Sequence, residues 1–180
     1  AREGFEMVRY ADDFVVLCRS EAQAARALAV VAEWTAAAGL TLHPDKTHLV
    51  DARQQGFDFL GYRFEDGRRW PREKSLAKFK DSLRAKTRRT AGHSLRAIID
   101  GLNPMLRGWF AYFQHSYRTT FPDLDGWLRR RLRSLLRRRR GRRGIARGAD
   151  HQRWTNNFFA EQGLFSLQRA HALACQSPRG

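Results

Sequence analysis

The sequence predicts an α+β chain: short β-hairpins around one helix, then an all-helical bundle. Three observations carry this. Residues 5–18 read as two apolar strands about a turn, and residues 56–64 alternate between two faces at period 2. Beyond Pro71 the apolar residues recur at i, i+3 and i+4 instead.

The first element is organised around Arg9–Ser20. Phe5, Met7 and Val8 lead in, Asp12 and Asp13 sit at a two-residue turn, and Phe14–Cys18 lead out. Asp suits a tight hairpin because its side chain bonds nearby backbone and tolerates unusual dihedrals. On that ground alone the pair is a turn with two solvated acids. The apolar run after it predicts a strand buried on both faces. Adjacent carboxylates at a hairpin tip also suit Mg²⁺, a hard cation that keeps phosphate and water among its ligands.

Glu21–Ala38 is Ala-rich, with Leu28, Val31, Ala32 and Trp34 among its periodic positions; Ser20 is an N-cap and Gly39 a C-terminal stop. In Gly39–Ala52, Pro44 breaks the chain, Asp45–Thr47 form a turn and His48–Val50 run extended. Gly56–Phe64 reads as strand, with Phe57, Phe59 and Gly61 on one face, and Asp66-Gly67 as turn. Gly61 leaves room for a backbone to approach.

The rear half divides into helical stripes. Leu76, Phe79 and Leu83 mark Ser75–Arg89, and Leu95, Ile98, Ile99 and Leu102 mark a second helix capped by Ser94. Asn103-Pro104 ends that helix and starts a third, with Leu106, Trp109, Phe110, Phe113 and Tyr117 as its stripe and Arg107 and His115 elsewhere on it. Phe121-Pro122 restarts the chain, Asp123 and Asp125 favour a helix N-terminus, and Leu124, Trp127, Leu128, Leu132, Leu135 and Leu136 follow. The aromatics at helical spacing read as core rather than as base-stacking platforms. Gly141–Asp150 is a loop by composition, and Trp154, Phe158, Phe159, Phe165 and Leu167 dock back on the bundle.

Charge separates the two halves. Residues 1–67 hold 7 Lys and Arg against 11 Asp and Glu, whereas residues 68–180 hold 27 against 7. Eleven arginines fall between Arg129 and Arg147. A rear half so basic points to a polyanionic partner, because each phosphate neutralised releases counterions. Arg suits phosphate through its forked donors. A nonspecific basic patch is the competing reading of the run. No apolar stretch approaches the ~18 residues of a membrane span, so no membrane partner is expected. Two distant cysteines, Cys18 and Cys175, suit neither a zinc site nor a disulfide scaffold. A reducing, cytoplasmic setting, bacterial-type and compatible with nucleoid association, is the simplest expectation.

Tyr10-Ala11-Asp12-Asp13 resembles the YADD box of reverse transcriptases. Leu102–Ser116, then Leu124-Asp125-Gly126-Trp127 and the arginine-rich Leu128–Arg140, resemble the thumb, or maturase-specific domain, of group II intron reverse transcriptase/maturases. Gly163-Leu164-Phe165-Ser166-Leu167 is similar to that family's tail. The resemblance implies the C-terminal portion of such a protein: palm over residues 1–70, thumb/maturase domain over 71–170, tail over 171–180. It implies template-directed nucleotidyl transfer with Mg²⁺, together with RNA splicing activity. Asp12 and Asp13 would be the catalytic metal ligands. Tyr10, Ala11 and Lys46 would serve the nucleotide, and Phe59, Leu60, Gly61 and Tyr62 the primer grip. RNA would meet Arg107, Arg129, Arg130, Arg133, Arg137, Arg138, Arg140, Arg142 and Arg143. The implied partners are group II intron RNA, template–primer and a DNA primer or target; oligomeric state stays open. The family's other metal-ligating Asp lies upstream of YADD, and only nine residues precede Tyr10 here, so this chain alone is expected not to polymerise. The alternative is a stand-alone RNA-binding splicing cofactor that keeps the hairpin as scaffold.

Overall fold

The computed structural model describes residues 5–90 and 92–176. It divides into two compact units: residues up to Leu60 with Phe64–Gly67, and Gly61–Arg63 with residues from Arg68 onward.

The first unit opens with strands β1 (Glu6–Tyr10) and β2 (Asp13–Leu17), paired antiparallel from Glu6↔Leu17 to Tyr10↔Asp13. The turn residues are therefore Ala11 and Asp12, not Asp12 and Asp13 as the sequence suggested. Asp13 is already in the ladder, and Ala11 takes the left-handed conformation, φ 53. β2 is also not buried on both faces: Phe14 and Leu17 are exposed, and Val15 and Val16 half-buried. Apolar composition here reported strand propensity rather than burial.

Helix α1 (Glu21–Ala37) begins where Ser20 Oγ accepts from Gln23 N–H. It ends in a Schellman motif: Gly39 at φ 69 donates to Ala36 O, and Leu40 N–H donates to Thr35 O. Its inner face is Ala27 and Thr35, whereas Trp34 is 63% exposed and lies off the predicted stripe. A 3-10 turn, Pro44–Lys46, follows, closed by Thr47 N–H and Oγ1 on His43 O.

The second sheet is ordered β3 (Phe57–Phe59), β4 (Tyr62–Glu65), β5 (Arg68–Pro71). Gly56–Phe64 is thus two strands, not one. Leu60 (φ 47) and Gly61 (φ 78) make a left-handed two-residue turn, as do Asp66 (φ 47) and Gly67 (φ 66). Paired positive φ values match the type I′ geometry that hairpin twist favours. Period-2 patterning does not reveal such a turn, because two turn residues keep the alternation in phase.

The second unit is helical. α2 runs Glu73–Lys86, α3 Leu95–Phe113, α4 Thr120–Arg139, α5 Gly148–Arg153, α6 Asn156–Glu161 and α7 Leu167–Gln176. One core unites Phe79 and Leu83 of α2 with Ile98, Leu102, Leu106, Trp109 and Phe113 of α3 and Phe121, Leu124, Leu128, Leu132 and Leu135 of α4. Trp154, Phe159 and Leu167 complete it, as their apolar character foretold. The expected break at Asn103-Pro104 does not occur: α3 passes straight through Pro104. Interior proline costs about 3 kcal/mol. The apolar positions on both sides of it face one core, and burying a large side chain is worth about 1.5–3 kcal/mol each, so continuity wins. Tyr117 leaves the predicted stripe for the α3–α4 connection. There its N–H donates to Arg69 O, and its ring packs on Trp70 at 5.7 Å. The Gly141–Asp150 segment is loop only to Arg147, where α5 begins.

Candidate nucleic-acid interface

The acidic hairpin is short and exposed. Arg9 Nε donates to Ala11 O at 2.8 Å and braces the turn from the incoming strand. Asp12 and Asp13 are both exposed, and Tyr10 is 66% exposed. Among the described residues no group of three or more His, Cys, Asp or Glu side chains is placed to hold a metal ion. Two adjacent carboxylates can share in one Mg²⁺ whose other ligands are water and phosphate, but alone they are a poor cage for the two ions of a phosphoryl-transfer centre. The donors present do not by themselves fit the metal centre that the resemblance implies.

Lys46 is exposed on its 3-10 turn. Phe59 to Tyr62 span the β3–β4 turn, all half-buried. A Cβ built on Gly61 would point at Ser75 Oγ, 3.5 Å, and the Phe113 ring, 3.7 Å. Glycine is there for its φ of 78 and faces protein, not an open approach for a ligand backbone. Tyr62 donates from its hydroxyl to Tyr112 O at 2.5 Å and packs on Phe113 at 5.0 Å. Burial, the largest cause, holds its phenol above the ordinary value.

The arginines of the run sort into two kinds. Arg133 is 4% exposed. Its Nε donates to Trp154 O at 2.7 Å, its Nη2 to Asn156 Oδ1 at 2.8 Å, and its guanidinium lies over Phe159. Desolvation, then Arg129, lowers its pKa. Its candidacy as an RNA ligand is therefore corrected: it is a buried clamp on the chain after α5. Arg129, 16% exposed, pairs with Asp125, and Arg137, 18% exposed, pairs with Asp150 at 2.7 Å. Asp125, Arg129, Arg133 and Arg137 recur every four residues, directly beside the leucine stripe. Their angular place beside that stripe, not the spacing itself, is the sequence signal that separates them from Arg130 and Arg138. Arg130, Arg138, Arg140, Arg142 and Arg143 are exposed, as is Arg107, whose guanidinium lies over Phe165.

At the C-terminal end of α4 some of these residues converge. A concavity of about 270 Å³ is lined by Arg137, Arg140, Arg142, Asp150, Arg153 and Trp154. Arg153, on α5, was not singled out from sequence. Its only forewarning is the Trp154 neighbour, over which its guanidinium lies at 5.9 Å. Asp150 is the one acid in the lining and is already committed. It accepts from Arg147 N–H at 2.9 Å and from Arg137. The Arg147 N–H, then Arg137 and Arg142, hold its carboxyl below the usual range. Arg140, Arg142 and Arg153 face solvent around this acid, Arg142 within its electrostatic reach, an arrangement suited to a phosphate.

Elsewhere in the helical unit, polar groups whose roles the sequence did not reveal fasten the chain after α6. Asn103 is 9% exposed; its Nδ2 donates to Gly163 O and its Oδ1 accepts from Phe165 N–H, both at 2.8 Å. Asp125, 3% exposed, accepts from Ser166 Oγ at 2.6 Å, Leu167 N–H at 3.1 Å and Gln168 N–H at 3.3 Å. An acid on α4 thus caps α7 from outside its own helix. The Leu102–Ser116 and Leu124–Trp127 segments are thus each hydrogen-bonded to Gly163–Leu167.

Residues 1–64 match the family model for reverse transcriptase (RNA-dependent DNA polymerase), and residues 76–154 match that for the group II intron, maturase-specific domain. Curated proteins offer no match to the chain. Among the described residues no helix is long and apolar enough to cross a membrane. A polymerase segment running into a maturase-specific domain, on an α+β scaffold that turns wholly helical, makes this chain a member of the group II intron reverse transcriptase/maturase family.

Proposed function

We propose that the helical domain holds group II intron RNA at the arginine-lined concavity of Arg140, Arg142 and Arg153, and that this binding underlies its maturase role. The observation that carries the reading is the geometry of the lining: three exposed guanidiniums around an acid that other groups already occupy. Arg130, Arg138 and Arg143 extend the same charge along α4 and the loop after it, and Arg107 adds to it on α3. Phosphate contacts of this kind fix position, and sequence choice comes from elsewhere on the RNA.

In the polymerase role, Asp12 and Asp13 are the carboxylates this chain contributes toward Mg²⁺. Lys46 is the triphosphate contact, with Tyr10 and Ala11 beside the nucleotide, and Phe59–Tyr62 the primer contact, on a DNA primer or target. We take residues 1–70 as palm, 71–170 as maturase domain and 171–180 as tail; of that tail, residues 177–180 lie outside the described residues. A cytoplasmic site of action fits this chemistry. The second reading is an RNA-binding splicing cofactor that keeps the hairpin as scaffold; the basic helical domain supports it without any polymerase step.

The test is a salt titration of group II intron RNA binding with primer extension run in parallel. We expect log-linear weakening with salt, a shallower slope for Arg142→Gln/Arg153→Gln by about 1.4–1.8 if two phosphates are lost, and no extension product. An unchanged slope removes the concavity from the interface, and a product from the chain alone overturns the assignment of incomplete catalytic machinery.

A further inference from the structure

A second basic cluster, on α2 and α4, shares one arginine with the run, Arg131, and none with the lining of the concavity. Its centre is Trp127, a half-buried indole. Three cations from two helices surround that ring. Lys80 Nζ lies 5.8 Å from its centroid, the Arg84 guanidinium 5.5 Å and the Arg131 guanidinium 5.4 Å.

Arg131 is the fixed member. Its Nε donates to Thr87 Oγ1 at 2.9 Å, and Thr87, 1% exposed, donates in turn to Leu83 O at 2.7 Å. The guanidinium is therefore tied to the last turn of α2 through a buried hydroxyl. Its pKa is lowered by desolvation first and then by neighbouring charge, that of Arg84 foremost. Among the described residues the acid paired with the group is Asp81, an exposed partner to Arg84. Three cations around one indole thus have one exposed carboxylate beside them.

This arrangement has a physical cost when empty. Like charges a few ångströms apart repel, the more so where water is partly excluded. Cation–π attraction to the indole offsets part of that. The ring also serves as a floor that limits how far each long side chain can wander, which lowers the ordering cost when an anion arrives. Because its face is already covered by guanidinium, the indole is not a stacking platform for a base.

We propose that Lys80, Arg84 and Arg131 bind neighbouring phosphates of one RNA strand, with Trp127 as the positioning residue that holds the cations in register. The site rests on the reading that the helical domain binds RNA and adds a second contact centred on α2. Lys80 and Arg84 are the adaptable ends; Arg131 sets the geometry.

The experiment uses the 180-residue chain, a uridine homo-oligonucleotide and a range of salt concentrations. Wild type should show log K falling linearly with log salt. Lys80→Gln/Arg84→Gln, one half-buried and one exposed, should reduce the slope by about 1.4, the value for two phosphates on a single strand. Arg169→Gln, an exposed arginine on α7, should leave the slope as it is. Trp127→Leu keeps the net charge and should weaken binding about three- to tenfold. If wild type binds with its full slope and the Lys80/Arg84 variant matches it, the cluster is not a site and the RNA reading stands without it. A loss per charge removed as large in Arg169→Gln as in that variant would show diffuse charge only and overturn the proposal. No salt-dependent binding by wild type would sink both.

Discussion

Asp125→Ala should release α7 from the bundle without unfolding it. Three donors converge on this carboxylate: the Ser166 hydroxyl and the N–H groups of Leu167 and Gln168. A hydrogen bond to a charged acceptor contributes about 1.5–3 kcal/mol, and a buried donor left unpaired costs about 1–3 kcal/mol. Desolvation of the carboxylate opposes these terms, and the Arg129 ion pair at 3.6 Å is too long to return much of it. The net loss works out at about 2–4 kcal/mol. That loss should concentrate at the start of α7, where backbone N–H groups have no intrahelical acceptor. The assay is hydrogen exchange at the amides of Leu167–Gln176. At about 1.4 kcal/mol per factor of ten, protection there should fall roughly 30- to 700-fold, with α3 amides changed far less. Asp125→Asn keeps the shape and one acceptor oxygen and should fall between. Protection within twofold of wild type in Asp125→Ala, with normal unfolding, would refute the view that this side chain fastens α7.

Two further outcomes follow from the same geometry. Arg133→Met should destabilise the helical unit by about 2–4 kcal/mol in denaturant titration, because Trp154 O and Asn156 Oδ1 lose their donor in a buried site; the salt slope of RNA binding should stay as in wild type. Asp150 has a folded carboxyl below its ordinary 3.8. Its contribution is therefore complete above about pH 4 and disappears as pH falls through the folded value. The difference in melting temperature between wild type and Asp150→Asn should be largest near neutrality and close on acidification below pH 4; a constant difference would show that its charge is not what matters.

Much of the scaffold was readable because it obeys short-range rules. The leucine and aromatic stripes of α2 to α4 follow helical period. Ser20 and Ser94 cap the helices they precede, accepting from Gln23 and Ala97 N–H groups. What escaped depends on partners distant in the chain. Pro104 reads as a stop by local rules, yet the core on both sides of it keeps α3 whole. Asp125 reads as a favourable charge at its own helix start and instead caps a helix about 40 residues later. Arg133 looks like its neighbours in composition, and only its angular place beside Leu132 and Leu135 separates it from Arg130 and Arg138. The candidate site was legible as charge, not as geometry. The run announced a phosphate surface, but Arg153 and, on α2, Lys80 and Arg84 are brought to it by folding from separate stretches.

The ties from Asn103 to Gly163 and Phe165, and from Asp125 to Ser166, carry a corollary for inheritance. Substitutions at these positions should not be tolerated singly: where a homologue replaces the acid at 125, compensating change is expected at 166, and a new side chain at 103 should travel with an altered 163–165. Segments that look like three separate signatures would then amount to one co-evolving constraint, and scoring them as independent overstates how much any pattern match has proved.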